Sequence, residues 1–259
     1  MNRLFIISVA ATLNLAITCD DLLNVAPILS TDEVVRGLKT ALQVGTDTAV
    51  SVTSVLNGYY KDKLIKIGLP PEANTIVKYI NKIPGGPVMV EDLVKSINRS
   101  AETAAKEASP IFKNAIRNMT IADGWAILNG KIPSSSGTSA GYDSTAATQY
   151  LKNQTYSSLV SLYAPKINSA LDRDLGLGFS ANNAWNKLTG AYNKYVVPVT
   201  SIIDPSVKAV TTDIGEFCTQ KALDGLFLKV QGEEKEIRRN PYKWAVDIIQ
   251  KVFGSVYKE

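Results

Sequence analysis

The sequence predicts an all-α protein, a single compact bundle of about nine or ten helices with no sheet. From Ser30 onward apolar residues return at the i, i+3, i+4, i+7 spacing that lines one face of a helix. No stretch alternates strictly between apolar and polar residues across a hairpin-length turn, as half-buried strands do. Prolines follow Ser109, Ala164, Asp204 and Asn240, places where a first helical turn accepts the missing N–H.

The first helix spans 31–56. It opens on Ser30-Thr31-Asp32-Glu33, a capping box in which Glu33 can reach back to the Ser30 amide, and carries the stripe Val34, Leu38, Leu42, Gly45, Ala49, Val52 and Leu56. Pro70-Pro71-Glu72 starts a helix over 71–83, and Pro84-Gly85-Gly86-Pro87 reads as a turn. A helix over 88–108 follows, with Val90, Leu93, Val94, Ile97, Ala101, Ala104, Ala105 and Ala108 on one face; its alanines let a neighbour approach closely. Shorter helices are expected at 110–118 and 121–129. Lys131 to Thr145, with Ser134-Ser135-Ser136-Gly137, reads as an exposed, mobile loop. Helices at 145–163 and 165–175 are divided at Pro165, a kinked continuous helix being the alternative both there and at Pro110. Beyond them lie 181–195, 206–239 and 241–253. The long 206–239 helix buries Ile214, Phe217, Cys218, Ala222, Leu223, Leu226, Phe227 and Val230. Its end, Gly232 to Arg239, is a charged tail, and Glu234 with Arg238 four residues on has the order of a solvated helical ion pair.

The N-terminus has a different layout. Arg3 precedes an apolar run from Leu4 to Ala16, which Asp20-Asp21 ends abruptly. This is the pattern of a secretory signal peptide over residues 1–18, too short in its apolar part for the ~20 residues of a membrane span. Residues 20–259 then form the single helical domain, and the protein is secreted or extracytoplasmic, in the periplasm or outside the cell. Cys19 is the candidate for lipidation, or for a disulfide with Cys218, which otherwise reads as a buried thiol on an apolar helix face. Asn118 and Asn153 head glycosylation tripeptides, relevant only on a eukaryotic secretory route; Asn98 heads a third, with occupancy not expected there.

Composition excludes more than it includes. The 259 residues contain no histidine, which removes histidine triads, His-ligated zinc and haem, and histidine pH switches. Two cysteines cannot build a structural zinc site or an iron–sulfur cluster. The net charge of +4 is spread along the chain and makes no nucleic-acid footprint. No phosphate-binding loop, dinucleotide fingerprint, calcium loop or nucleophile elbow occurs, so neither a metal nor any other cofactor is expected. What remains for catalysis is a carboxylate pair: Glu102 with Glu107, Asp172 with Asp174, or Asp213 with Glu216, of which only the last shares a helical face. Such residues are solvated far more often than catalytic, and no catalytic residue is assigned. The aromatics Trp125, Trp185, Tyr192, Phe217 and Phe227 are candidates to line an apolar pocket between helices, weighed against plain core packing; Trp185, Leu188 and Tyr192 share a face.

Four segments carry a resemblance. Leu29 to Lys39, Gly68-Leu69-Pro70-Pro71-Glu72-Ala73, Asn114 to Asp123 and Thr219 to Phe227, together with the ending Glu233 to Pro241, resemble the bacterial domain-of-unknown-function family 4197 from about Leu22 to Phe253. The resemblance implies a secreted, periplasmic or lipid-anchored helical protein and assigns no activity. It marks Asp123 to Gly130 and Thr219 to Phe227 as positions to test first.

The expected function is binding rather than catalysis, with a hydrophobic small molecule or a protein as partner, no nucleic acid and no membrane span. The alternatives are a structural or self-assembling extracellular protein and, third, a carboxylate-based hydrolase. Oligomeric state is not legible.

Overall fold

A computed structural model describes residues 29–80, 86–134, 137–138, 141–174 and 176–257. The signal segment 1–18, Cys19 and the Pro84-Gly85 half of the expected turn lie outside the described residues.

Helix α1, Thr31–Thr53, starts where the capping box places it: the Ser30 hydroxyl accepts from the Glu33 amide at 3.2 Å, and the Glu33 carboxylate accepts from the Ser30 amide at 2.9 Å. It is followed by α2 (Asn74–Ile80), α3 (Gly86–Ala105), α4 (Ala108–Asn118), α5 (Gly124–Leu128), α6 (Ala146–Leu171), α7 (Ala181–Ala191), α8 (Val197–Thr200), α9 (Ile214–Arg239) and α10 (Asp247–Gly254). The class is all-α. The extended pairing among the described residues is a two-residue hairpin, Pro133–Ser134 with Gly137–Thr138, inside the serine-rich loop, and one isolated bridge between Asp174 and Ser180.

The long helix α9 is the axis of the bundle, about 39 Å over its 26 residues. Helix α1 packs antiparallel to it: Gly45 lies against Val230, while Tyr59, just past the end of α1, donates its hydroxyl to the Ala222 carbonyl at 2.8 Å. Helix α6 covers another side, also antiparallel, with Thr148 beside Glu234 and Lys152 beside Asp224. Helix α10 closes against α1 at Gly37, where a Cβ would stand 2.6 Å from Val252, so only glycine permits this approach. The buried apolar residues of all these helices form one cluster.

Several boundaries differ from those read in the sequence. Helix α6 runs unbroken through Pro165, the continuous alternative, because Leu159 and Tyr163 before the proline and Ile167, Ala170 and Leu171 after it are buried in the same core. Packing of that extent outweighs the ~3 kcal/mol of a proline inside a helix. Helix α3 begins at Gly86, so Gly86 and Pro87 belong to its first turn rather than to a free turn.

Helix α9 begins at Ile214, not at residue 206. Asp213 is its N-cap, accepting from the amides of Gly215 at 2.7 Å and Glu216 at 3.0 Å. The preceding segment runs non-helically along α7, held by the Asn193 side chain, which accepts from the Val210 amide and donates to the Val210 carbonyl, and by Trp185, whose indole donates to the Thr212 carbonyl. At the C-terminus, Pro241 starts a single 3-10 turn, Pro241–Lys243, and α10 follows as a separate element.

The largest difference concerns the charged end of α9. Glu234 and Arg238 form a buried ion pair, their side chains 3 % and 4 % exposed. The Glu234 carboxylate accepts from the amides of Ala147 and Thr148, the free N–H groups at the start of α6, and from the Thr148 hydroxyl. The Arg238 guanidinium donates to the carbonyls of Ile127 and Leu128 at the end of α5, 2.9 and 2.6 Å away. The pair therefore caps two other helices, a role that spacing along α9 could not reveal.

Candidate functional site

The apolar cleft with the best-formed hydrophobic lining lies between α2 and the arm formed by α7 and α8. Its volume is about 750 Å³, within the ~300–1,000 Å³ of small-molecule sites. Buried Ile76 and Ile80 from α2 face Leu188 of α7 and Tyr192, and together they form the floor. Met89 of α3, Tyr195, Val199 of α8 and Ile203 form an exposed rim.

The local backbone explains this concavity. Between α7 and α8 the chain takes a π turn, Tyr192–Val196, closed by the Val197 amide on the Tyr192 carbonyl. Proline at 198 has no N–H to donate, and its ring conflicts with the carbonyl four residues earlier in a regular helix; the wider turn just before it relieves that conflict. The turn carries Tyr192, Tyr195 and Val196 into the cleft wall. Asn193, on the same turn, is fixed by its paired bonds to Val210, so the arm is anchored from its other side.

Charge at the cleft is sparse. Asp204 sits at one end, 3.7 Å from the Lys78 ammonium. Hydrogen bonds from the Ser206 hydroxyl and amide, with the nearby Lys78 charge, hold the Asp204 carboxyl below its ordinary range despite some desolvation. Lys187 stands exposed on α7, where it lines both this cleft and a smaller adjoining one of about 240 Å³.

Of the five aromatic candidates, the structure brings only Tyr192 to this cleft. Phe217 and Phe227 line a different groove of about 570 Å³ between α9 and the 64–71 segment, shared with Lys66, Lys152, Lys221 and Asp224. There Lys152 and Asp224 form a salt bridge at 2.7 Å, and burial together with the Asp224 charge pushes the Tyr156 phenol up to about 12. Phe227 also packs edge-on against Phe112 at 5.3 Å, a core contact. Trp185 is buried with its indole bonded to Thr212, and Trp125 lies half-exposed beside Thr31 of α1; neither lines the cleft or the groove. The cleft residues that sequence reasoning missed include Ile76, Ile80, Met89, Lys187, Val199 and Ile203. The Trp185–Leu188–Tyr192 face pointed toward them, but Pro198 and its π turn carried no signal on their own.

The carboxylate pairs serve structure. Asp213 caps α9, while Glu216 accepts from Gln220 at 3.3 Å. Buried Glu102 accepts from the amides of Asn57, Tyr59 and Tyr60 and so closes the turn after α1, whereas Glu107 pairs with Lys166 on the surface. Asp172 accepts from Asn182, and Asp174 from the amides of Gly176, Leu177 and Gly178. Hydrogen bonds from those amides, the Leu177 one foremost, lower the Asp174 carboxyl.

Asn98 is fully buried, exchanging hydrogen bonds with both backbone groups of Ile67, while Asn118 and Asn153 are exposed. Cys218 is a buried free thiol whose pKa burial raises strongly. Among the described residues no group of three or more His, Cys, Asp or Glu is placed to hold a metal ion, and no helix is long and apolar enough to cross a membrane.

No curated protein and no solved structure matches the chain. A family model described as a protein of unknown function, DUF4197, matches residues 28–254, from just before α1 to the end of α10. With nearly its whole length so matched, the chain belongs to the DUF4197 family.

Proposed function

We propose that this protein is a secreted or extracytoplasmic binding protein that holds an apolar small molecule between α2 and the α7–α8 arm, and that it acts by binding rather than by catalysis. The observation that carries the reading is the cleft itself, about 750 Å³ with an aliphatic and aromatic floor, built around a π turn of the kind that recurs at functional sites. The arrangement of residues 1–18 as an export signal supports the compartment.

Binding of the neutral fluorescent probe N-phenyl-1-naphthylamine tests this directly. The wild-type protein should take up the probe, and Ala191→Trp, which fills the cleft from an exposed helix position, should abolish uptake without changing the far-UV circular dichroism. Equal uptake by both proteins refutes the assignment of the site.

A protein partner is the second reading, favoured by Ile202 and Ile203, which are 82 % and 84 % exposed beside the cleft. Cross-linking from an Ile202→Cys variant to another protein in the native extract would support it.

A further inference from the structure

We infer that the occupant of the cleft is a free single-chain amphiphile with one carboxylate head, of the fatty-acid class, seated with its head at Lys187 and its chain over Ile80, Leu188 and Tyr192. This inference rests on the reading that the cleft takes an apolar small molecule, and it adds the charge and shape of that molecule.

The argument is one of charge complementarity. Two carboxylates stand in the walls of the cleft and of its smaller neighbour, and each has a cation: Asp204 pairs with Lys78 at 3.7 Å, and Asp92 pairs with Lys95 at 3.3 Å. Lys187 is in no salt bridge among the described residues and lines both cavities. The site thus offers one uncompensated ammonium beside a long apolar floor. A cationic ligand would be repelled there, and a neutral one would leave the ammonium unused. A single carboxylate on an alkyl chain satisfies both parts: the head keeps its partial hydration at the exposed lysine, and the methylenes leave water along the floor.

The test uses the full chain and displacement of N-phenyl-1-naphthylamine by palmitate and by hexadecanol, ligands of equal chain length, at pH 7.4 and below their aggregation limits. Palmitate should bind about fivefold more tightly, the gain expected of one exposed charge pair. Lys187→Gln should erase the difference and Lys187→Arg should keep it. Equal affinities in the wild type, or a difference that survives Lys187→Gln, would overturn the head-group assignment while leaving the apolar cleft in place. Failure of both ligands and of the probe would remove the cleft reading as well. A concentration-dependent dimer in sedimentation, abolished by Ala191→Trp, would make a second copy of the chain the occupant and overturn the inference.

Discussion

Replacing Glu234 by glutamine keeps the shape of the side chain and removes its charge. Both carboxylate oxygens are acceptors only: one takes the Ala147 amide at 3.0 Å and the Arg238 Nε at 2.9 Å, the other the Thr148 amide and hydroxyl at 2.7 Å each. A glutamine NH₂ at either position meets a backbone N–H, and Arg238 is left as a buried cation with no anion beside it, its other partners being the neutral Ile127 and Leu128 carbonyls and the face of Phe253, 5.3 Å away. Breaking a buried pair in this way costs about 3–5 kcal/mol, against the ~0.3–0.5 kcal/mol of a solvated helical pair. For a domain of this size that is roughly 6–20 °C in Tm. The assay is urea unfolding followed by far-UV circular dichroism, with Arg238→Met and the double variant completing a cycle. The double variant should lose less than the sum of the singles, with a coupling of about 1–3 kcal/mol. A loss below about 1 kcal/mol for Glu234→Gln, at an unchanged denaturant slope, would show that the pair is solvated and that α5 and α6 are not capped by it.

Gly37→Ala should destabilise the fold by about 1–3 kcal/mol, because the new methyl meets Val252 at 2.6–2.9 Å, and Val252→Ala in the same chain should restore part of the loss; thermal unfolding of the three proteins checks it. The hydrogen bonds from Lys251 and the Ser30 amide lower the Glu33 carboxyl from its ordinary 4.5 to about 2. Its stabilising contribution is therefore complete above about pH 4.5 and disappears as pH falls toward 2, so the urea midpoint of wild type should drop more steeply over that interval than that of Glu33→Gln. Asn98→Ala should cost about 1–3 kcal/mol in urea unfolding, since it leaves both backbone groups of Ile67 buried without the side chain that pairs them. In a Cys19→Ser chain, Cys218 should react with Ellman's reagent only after denaturation, because burial raises its pKa and shields the sulfur; prompt labelling of that native variant would contradict the burial.

Much of the secondary structure was legible because its causes are local. The Ser30–Glu33 capping box involves residues three apart, and it forms as read. The stripe from Val34 to Ala49 is buried as its periodicity requires, but α1 ends at Thr53 and the expected continuation of the stripe, Val52 and Leu56, is exposed. On α9 the face from Ile214 to Val230 is buried except for Phe217, which is half-buried at the groove. Cys218 reads as a buried thiol on that face and is one. Proline was the weaker guide: at 165 the local rule predicts a boundary, yet the core on both sides of it holds a continuous helix.

The sequence by itself therefore determined the family, matched from residue 28 to 254, and also the helical class and most of the buried face of each helix, since class and face depend on residues within one or two turns of each other. The tertiary structure alone decided that Glu234 and Arg238 are interior, because the helix ends they cap come from 86 to 111 residues away along the chain. It also decided the cleft, which exists only where α2, the start of α3 and the widened turn before Pro198 meet around Lys187. Periodicity records which face of a helix leaves water, whereas the identity of what packs against that face, or fails to, belongs to contacts between distant segments.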